Sequence, residues 1–188
     1  FKPLPDVKLD TEQPAGFEVK RVFADVASVF TRVGVDKDNL YFGNSLGYLK
    51  VIGKKTGKEK WEYGTQGMLF SRPVVTKEWV ILPTSDKRLV WLDKATGKVV
   101  CERTAKGPYA ADGLVKDGIL YQGGYKTMQA WNVDKKQLLW EYDSLFNYCQ
   151  AQMAIDGNDL VFGAWDTNLR DLNRKTGKLD WVWNNGQA

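Results

Sequence analysis

The chain has 188 residues, with 27 basic and 23 acidic side chains, a formal net charge of +4 and no histidine. Without histidine, the sequence lacks the usual activator of a serine or cysteine nucleophile, the commonest general base at neutral pH and a frequent zinc ligand. Its basic residues are dispersed through predicted turns, which argues against a nucleic-acid surface, and no apolar run is long enough to span a membrane.

The first segment of the chain, residues 1–16, holds three of the six prolines and shows no strand pattern. We interpret it as an extended arm or a linker between domains. Residues 17–24 align with the last strand of the repeat that follows, forty residues ahead of Trp61. They are therefore predicted to form an outer strand that precedes the first complete repeat.

From residue 25 onward a unit of about forty residues occurs four times, at about 25–64, 65–104, 105–143 and 144–183. Each unit contains a similar short sequence motif. The last residues of the four motifs lie 40, 39 and 41 positions apart and are Trp61, Cys101, Trp140 and Trp181. A fixed period of this length indicates one supersecondary unit stacked on copies of itself, because a single unit cannot bury its own apolar faces.

Within each unit the residues are rich in β-branched and aromatic types and alternate with period two, which predicts strands. The third repeat predicts strands at residues 110–115, 119–123, 128–132 and 138–142, joined by tight turns. No stretch keeps a helical period, so we expect almost no helix. Four antiparallel strands repeated every forty residues are typical of a β-propeller blade. A β-sandwich is the alternative, but it has no reason to repeat its side chains in register.

The repeated motif resembles that of a known protein family. Its Thr-Gly-Lys sequence, followed four residues after the glycine by tryptophan, resembles the repeat A-x-D-x-x-T-G-x-x-x-W of quinoprotein-like (PQQ-like) β-propellers. The resemblance covers residues 17–183, with departures at Gly53, at Lys135 and Lys136, and at Cys101. It implies that the Thr-Gly turn joins the third strand to the fourth and that the tryptophan packs between blades.

Burial of one indole removes about 150–250 Å² from water, which contributes roughly 4–6 kcal/mol before opposing terms. We therefore interpret Trp61, Trp140 and Trp181 as structural residues of the repeat, and not as a ligand cage.

The strand count predicts an incomplete ring. The last repeat has its own fourth strand and residues 17–24 supply another, so the chain has one strand too many to close as four blades. We expect it to be half of an eight-bladed ring, completed by further repeats of the same polypeptide or by a second copy in a homodimer. In either arrangement the outer faces of the first and fourth repeats are apolar and need cover.

The resemblance also implies a test for a quinone cofactor. Quinoprotein dehydrogenases with this repeat hold the cofactor with two adjacent cysteines and use a calcium ion, whereas Cys101 and Cys149 lie 48 residues apart. We predict that both are unpaired packing thiols. Two turns resemble calcium loops, at residues 36–39 and 156–159, but neither continues to the distal glutamate of an EF-hand. We therefore predict no cofactor and no metal site.

Candidate binding residues emerge when the four repeats are aligned. One position of the predicted innermost strands holds a polar residue in every repeat: Arg32, Arg72, Asp112 and Gln152. If these side chains face the central channel around which the blades of a propeller are arranged, the two arginines can hold an anionic or carboxylate group. The competing interpretation is an ion pair between Arg72 and Asp112 that links adjacent blades.

The loops between second and third strands differ most among the repeats, and variable loops often carry binding residues. Tyr125 and Trp165, with Asp166 beside them, are predicted to face a partner.

Together these features predict a non-catalytic β-propeller scaffold that binds a protein or a ligand. The resemblance implies a bacterial, periplasmic or extracellular protein. Two alternatives stay open: part of a quinoprotein dehydrogenase, or the accessory propeller of a larger enzyme such as a phosphoesterase or kinase.

Overall fold

The computed structural model of the chain describes residue 22, residues 25–184 and residue 186. In this part of the chain there are sixteen strands and no helix, and hence no helix that could cross a membrane. The predicted arm at residues 1–16 lies outside the described residues, and so does nearly all of the outer strand predicted at residues 17–24.

The strands follow one another in four groups of four, which we call blades 1 to 4. Blade 1 contains β1 (Gly34–Val35), β2 (Asn39–Gly43), β3 (Tyr48–Gly53) and β4 (Glu59–Gly64). Blade 2 contains β5 (Val74–Val75), β6 (Trp79–Pro83), β7 (Arg88–Asp93) and β8 (Val99–Thr104). Blade 3 contains β9 (Leu114–Lys116), β10 (Ile119–Gly123), β11 (Met128–Asn132) and β12 (Gln137–Tyr142). Blade 4 contains β13 (Ala154–Asp156), β14 (Asp159–Gly163), β15 (Leu169–Asn173) and β16 (Leu179–Trp183).

Each blade is a separate antiparallel sheet with its strands in chain order. The predicted all-β architecture of four-stranded propeller blades is thus confirmed. The middle strands of blade 3 agree with the prediction, but its innermost strand is only Leu114–Lys116 instead of residues 110–115. Backbone groups just before the innermost strands bond to neighbouring blades instead, as the Arg72 N–H does in donating to Asp112 Oδ1 at 2.7 Å.

Three apolar cores lie between successive blades. Between blades 1 and 2, Tyr41 and Val51 pack against Val80 and Leu92. The core between blades 2 and 3 contains the fully buried Trp91. Equivalent cores between blades 2 and 3 and between blades 3 and 4 show that each repeat buries its faces mainly against its neighbours. This is the physical reason for the sequence repeat.

The repeated tryptophans form the seams between blades. The Trp61 indole N–H donates to the carbonyl of Lys94 at 3.1 Å, and the Trp140 indole N–H donates to the carbonyl of Arg174 at 3.0 Å. Lys94 and Arg174 occupy the same position of the repeat, three residues before the glycine of the Thr-Gly turn. Each tryptophan therefore ties its own blade to the turn of the next blade.

The seam between blades 2 and 3 uses a different tryptophan. Cys101 occupies the repeat position of Trp61, and it lies directly opposite Trp91 on the neighbouring strand. The Trp91 indole N–H donates to the carbonyl of Val133 at 3.2 Å, which is the equivalent acceptor in blade 3. At this seam the indole is on the third strand of the blade instead of the fourth, and it makes the same hydrogen bond to the next blade.

The glycine of the Thr-Gly turn is needed where an indole lies over it. A Cβ atom at Gly177 would lie 2.6 Å from Trp140, and one at Gly97 would lie 2.5 Å from Trp61. Blade 3 follows the blade that has Cys101, and its turn holds Lys136 at φ 55° in place of glycine. The Lys136 ammonium lies 4.0 Å from the ring centre of Trp79. The two departures from the repeat motif, a cysteine and a lysine, therefore belong to one seam.

Candidate functional site

The four aligned polar residues lie at the centre of the propeller. We call these residues the axial cluster: Arg32, Arg72, Asp112 and Gln152. Each was predicted to lie within an innermost strand, but each lies two residues ahead of one. The irregular backbone there brings side chains from different blades together.

Arg32 connects three blades within the axial cluster. Its Nη1 atom donates to Gln152 Oε1 of blade 4 at 2.6 Å, and its Nε atom lies 3.6 Å from Asp112 Oδ2 of blade 3. The expected side-chain ion pair between Arg72 and Asp112 is not the contact observed. Asp112 accepts the backbone N–H of Arg72 and pairs with the side chain of Arg32 instead. The carboxylate therefore links blades 1, 2 and 3.

Two cavities flank the axial cluster. A smaller one, of about 180 Å³, is lined by Arg32, Asp112 and Gln152 together with Phe30 and Phe70. A larger one, of about 420 Å³, has walls of mixed polarity, in which the side chains of Val33, Val35, Val74, Leu114 and Val115 lie beside Arg72. Among the described residues, the Arg72 guanidinium has no hydrogen bond or ion pair. A guanidinium is the kind of group that pairs with carboxylate or phosphate anions.

Aromatic side chains cluster at the loops of blades 3 and 4. The rings of Tyr125 and Tyr148 lie 4.8 Å apart, and those of Tyr148 and Trp165 lie 6.3 Å apart. We call these three residues the aromatic patch. Trp165 is 64% exposed, and the neighbouring Phe146 is 78% exposed. A cleft of about 300 Å³ opens beside the patch.

The backbone holds the aromatic patch in place. The N–H of Trp165 donates to the carbonyl of Tyr148 at 2.9 Å, and Tyr125 forms an isolated bridge with Tyr148. Tyr148 was not among the predicted residues. It belongs to the segment between blades 3 and 4, which the sequence shows only as a connection, so its place between two loops could not be inferred.

Asp166 does not present its carboxylate to a partner, contrary to the prediction. Arg170 donates to both carboxylate oxygens, at 2.8 and 2.7 Å, and the two side chains are each only 4% exposed. Although burial opposes ionisation, the hydrogen bonds from Arg170 and from the Phe146 N–H hold the pKa of Asp166 below its usual range. Asp166 thus fixes the loop that carries Trp165.

The first Asp-rich turn is occupied by its own hydrogen bonds. Asp36 accepts the N–H groups of Asp38 and Asn39 at 2.8 and 2.7 Å and the hydroxyl of Tyr41 at 2.7 Å. Burial raises the pKa of Asp36, but these bonds outweigh it and lower that pKa to about 2. Lys94 of the next blade lies 3.5 Å away. The turn therefore contributes to the contact between blades 1 and 2.

The two cysteines lie apart and are unpaired. Cys149 is fully buried in the core between blades 3 and 4, and this burial raises the pKa of its thiol to about 12. Cys101 packs at the seam between blades 2 and 3. Neither residue lines a cavity at the axis, so the residues present do not fit the paired-cysteine grip on a quinone.

Comparison with known proteins gives the family. The family model described as outer membrane protein assembly factor BamB matches residues 11–115, more than half of the chain. The chain belongs to this PQQ-like repeat family. A curated relative, the quinoprotein alcohol dehydrogenase PedH of Pseudomonas putida, is 32% identical over 80 residues, which cover 38% of this chain and 13% of PedH.

Solved structures of PQQ-like and designed proteins share the fold. The quinohemoprotein alcohol dehydrogenase of Comamonas testosteroni superposes with a TM-score of 0.74 at 17% identity, over 84% of this chain and 35% of that one. BamB of Moraxella catarrhalis gives a TM-score of 0.60 at 16% identity, over 85% and 65% of the two chains. The computationally designed Ika8 protein gives 0.73 at 21% identity, over 83% of this chain and 49% of Ika8.

Proposed function

We propose that this chain is a non-catalytic binding scaffold whose aromatic patch docks a segment of a partner protein. The observation that carries the proposal is the contact of Tyr125, Tyr148 and Trp165 beside an open cleft. Exposed aromatic side chains held rigidly by backbone bonds are the type of residue that dominates protein interfaces, because they bury large areas at small entropic cost. The cleft is lined by Phe70 and Tyr109, which suits an apolar anchor residue.

The family supports a role in binding without specifying the partner. The matching model is named for a protein assembly factor, and the solved structures include BamB itself. On the same basis we propose a periplasmic or extracellular location. The chain spans 13% of PedH and about half of Ika8, so activities of whole relatives do not transfer directly.

Selection of peptides from a random library on the immobilised protein tests this function. We expect the selected peptides to contain an aromatic or large aliphatic anchor and to lose at least about tenfold in affinity on Trp165→Ala, which is the effect of a hot-spot residue. Trp183→Ala is the matched control, because Trp183 is 57% exposed but lies on the outer strand of blade 4. Equal affinity for the wild-type protein and Trp165→Ala would contradict the proposal.

We also propose that the four blades are half of an eight-bladed ring. The outer face of blade 4 supports this, because Trp181 and Trp183 are 43 and 57% exposed. Further repeats of the same polypeptide or a second copy in a homodimer would cover this face. Light scattering and binding of a hydrophobic dye test the arrangement. A stable monomer of the 188-residue chain that binds no dye would count against both versions.

A quinoprotein dehydrogenase is the second candidate, favoured by the similarity to PedH. The positions of Cys101 and Cys149 do not suit the cofactor. Mass spectrometry of the protein purified under native conditions with added quinone tests it, and stoichiometric binding would favour the enzyme.

A further inference from the structure

Three carboxylates meet on the face of blade 4 that points away from blade 3. Asp159 begins β14, Asp171 lies within β15 directly opposite Trp181, and Asp180 occupies the bulge of β16. They offer oxygen atoms that all lie within 4.8 Å of one another. Asp159 and Asp180 are exposed, whereas Asp171 is only 4% exposed.

Asp171 is an unexpected residue at its position. The corresponding residues of the other blades, each opposite the seam position on the fourth strand, are Val51, Trp91 and Ala130. The Oδ1 atom of Asp171 is buried and has no hydrogen-bond partner. Burial, together with the charges of Asp159 and Asp180, raises the pKa of this carboxyl, although hydrogen bonds from the Leu160 backbone and the Trp181 side chain act in the opposite direction. A buried carboxylate with an unpaired oxygen beside two negative charges is costly unless it takes up a proton or a cation neutralises it.

We propose that Asp159, Asp171 and Asp180 bind a Ca²⁺ ion at the outer face of blade 4. Carboxylate oxygens are the ligands that Ca²⁺ prefers, at about 2.3–2.6 Å, so that oxygens on opposite sides of the ion are about 4.6–5.2 Å apart. The three oxygen atoms, all within 4.8 Å of one another, satisfy this upper bound. Mg²⁺ demands a near-ideal octahedral shell at about 2.0–2.1 Å, whereas Ca²⁺ tolerates an irregular set of carboxylates. In the chain of 188 residues alone, where this face is uncovered, water completes the coordination.

A basic side chain of an adjoining blade is a weaker explanation of the carboxylate cluster. At two seams a cation of the next blade meets one carboxylate in the turn after the innermost strand. Lys94 lies 3.5 Å from Asp36, and Arg174 lies 2.8 Å from Asp117. Asp171 instead lies within the third strand, and three carboxylates carry more negative charge than one lysine or arginine neutralises. A divalent ion matches this charge better.

Terbium luminescence and calorimetry test the site. Tb³⁺ is a luminescent substitute for Ca²⁺, and Trp181, directly opposite Asp171, is placed to sensitise it. We expect one equivalent of Tb³⁺ to bind the wild-type chain, to be displaced by Ca²⁺, and to show a heat of binding with CaCl₂. Ligand charge sets Ca²⁺ affinity, so Asp171→Asn and Asp180→Asn should each weaken binding at least about tenfold. Asp180 is exposed, so its variant tests the site without disturbing the core.

Two controls make the outcome specific. Asp143→Asn removes an exposed carboxylate of blade 3 and should leave binding unchanged. Trp181→Phe should reduce the terbium signal while the heat of Ca²⁺ binding stays the same. The proposal is overturned if the wild-type chain binds neither ion at millimolar concentration. It is also overturned if Asp171→Asn and Asp180→Asn bind as tightly as the wild-type chain.

Discussion

The contact between the Thr-Gly turn and the indole of the preceding blade makes a quantitative prediction. Gly177 has φ of 72° and no room for a Cβ atom beneath Trp140, whereas Gly118 has φ of 73° and nothing within 4 Å of that position. The change of either glycine to alanine imposes the same backbone penalty of about 1–2 kcal/mol, offset by about 0.4–1 kcal/mol from the stiffer unfolded chain. Gly118→Ala should therefore reduce the free energy of unfolding by about 1 kcal/mol.

Gly177→Ala should cost more, because the methyl group must displace the Trp140 indole. Overpacking of a core costs about 1–3 kcal/mol, so the total loss should be about 2–4 kcal/mol. Urea denaturation followed by tryptophan fluorescence measures both variants. In a Trp140→Ala background the clash is absent, and Gly177→Ala should then cost only about as much as Gly118→Ala. Equal losses for the two glycines in the wild-type background would refute the reasoning.

Three further predictions concern charge, packing and thiols. Asp36 has its pKa lowered from 3.8 to about 2 in the folded chain, so it should contribute about 2 kcal/mol above pH 4 that is lost as the pH falls towards 2. Asp36→Asn should remove that part of an acid titration of stability, and an unchanged titration would contradict the assignment. Trp91→Ala should cost about 3–5 kcal/mol by urea denaturation, whereas Trp181→Ala, half-exposed, should cost at most about 2 kcal/mol. A thiol reagent should modify Cys149 only after unfolding, while Cys101 reacts sooner, and rapid modification of Cys149 in the native chain would show that its core opens.

The sequence repeat was sufficient to predict the blades, because period-two strands and regular turns leave a local signal. β10 and β11 begin and end where the pattern predicts. The innermost strand of blade 3 was predicted too long. Near the axis the blades crowd together, as at Gly34, where an added Cβ atom would lie 2.8 Å from the Pro73 carbonyl. Backbone groups there bond between blades, which no pattern within one repeat reveals.

The candidate sites were less predictable than the fold, because alignment of the repeats gives positions but not directions. It placed Arg32 and Asp112 at equivalent positions, yet it could not show that Arg32 reaches across to two other blades. It also grouped Asp166 with Trp165, although their side chains point to different surroundings. The signal at Asp171 was available in the sequence, as an acidic residue at a position that is otherwise apolar.

The pairing of each turn with an indole from the third or fourth strand of the preceding blade gives the blades a fixed order. A chimaera with the second and third repeats exchanged would put Lys136 beneath Trp61 and the turn of blade 4, with Gly177, next to the strand that carries Cys101. The repeats are therefore not interchangeable. A duplication or a crossover that keeps the protein folded must carry both sides of a seam together, so the heritable module runs from the outer strand of one blade to the hairpin of the next.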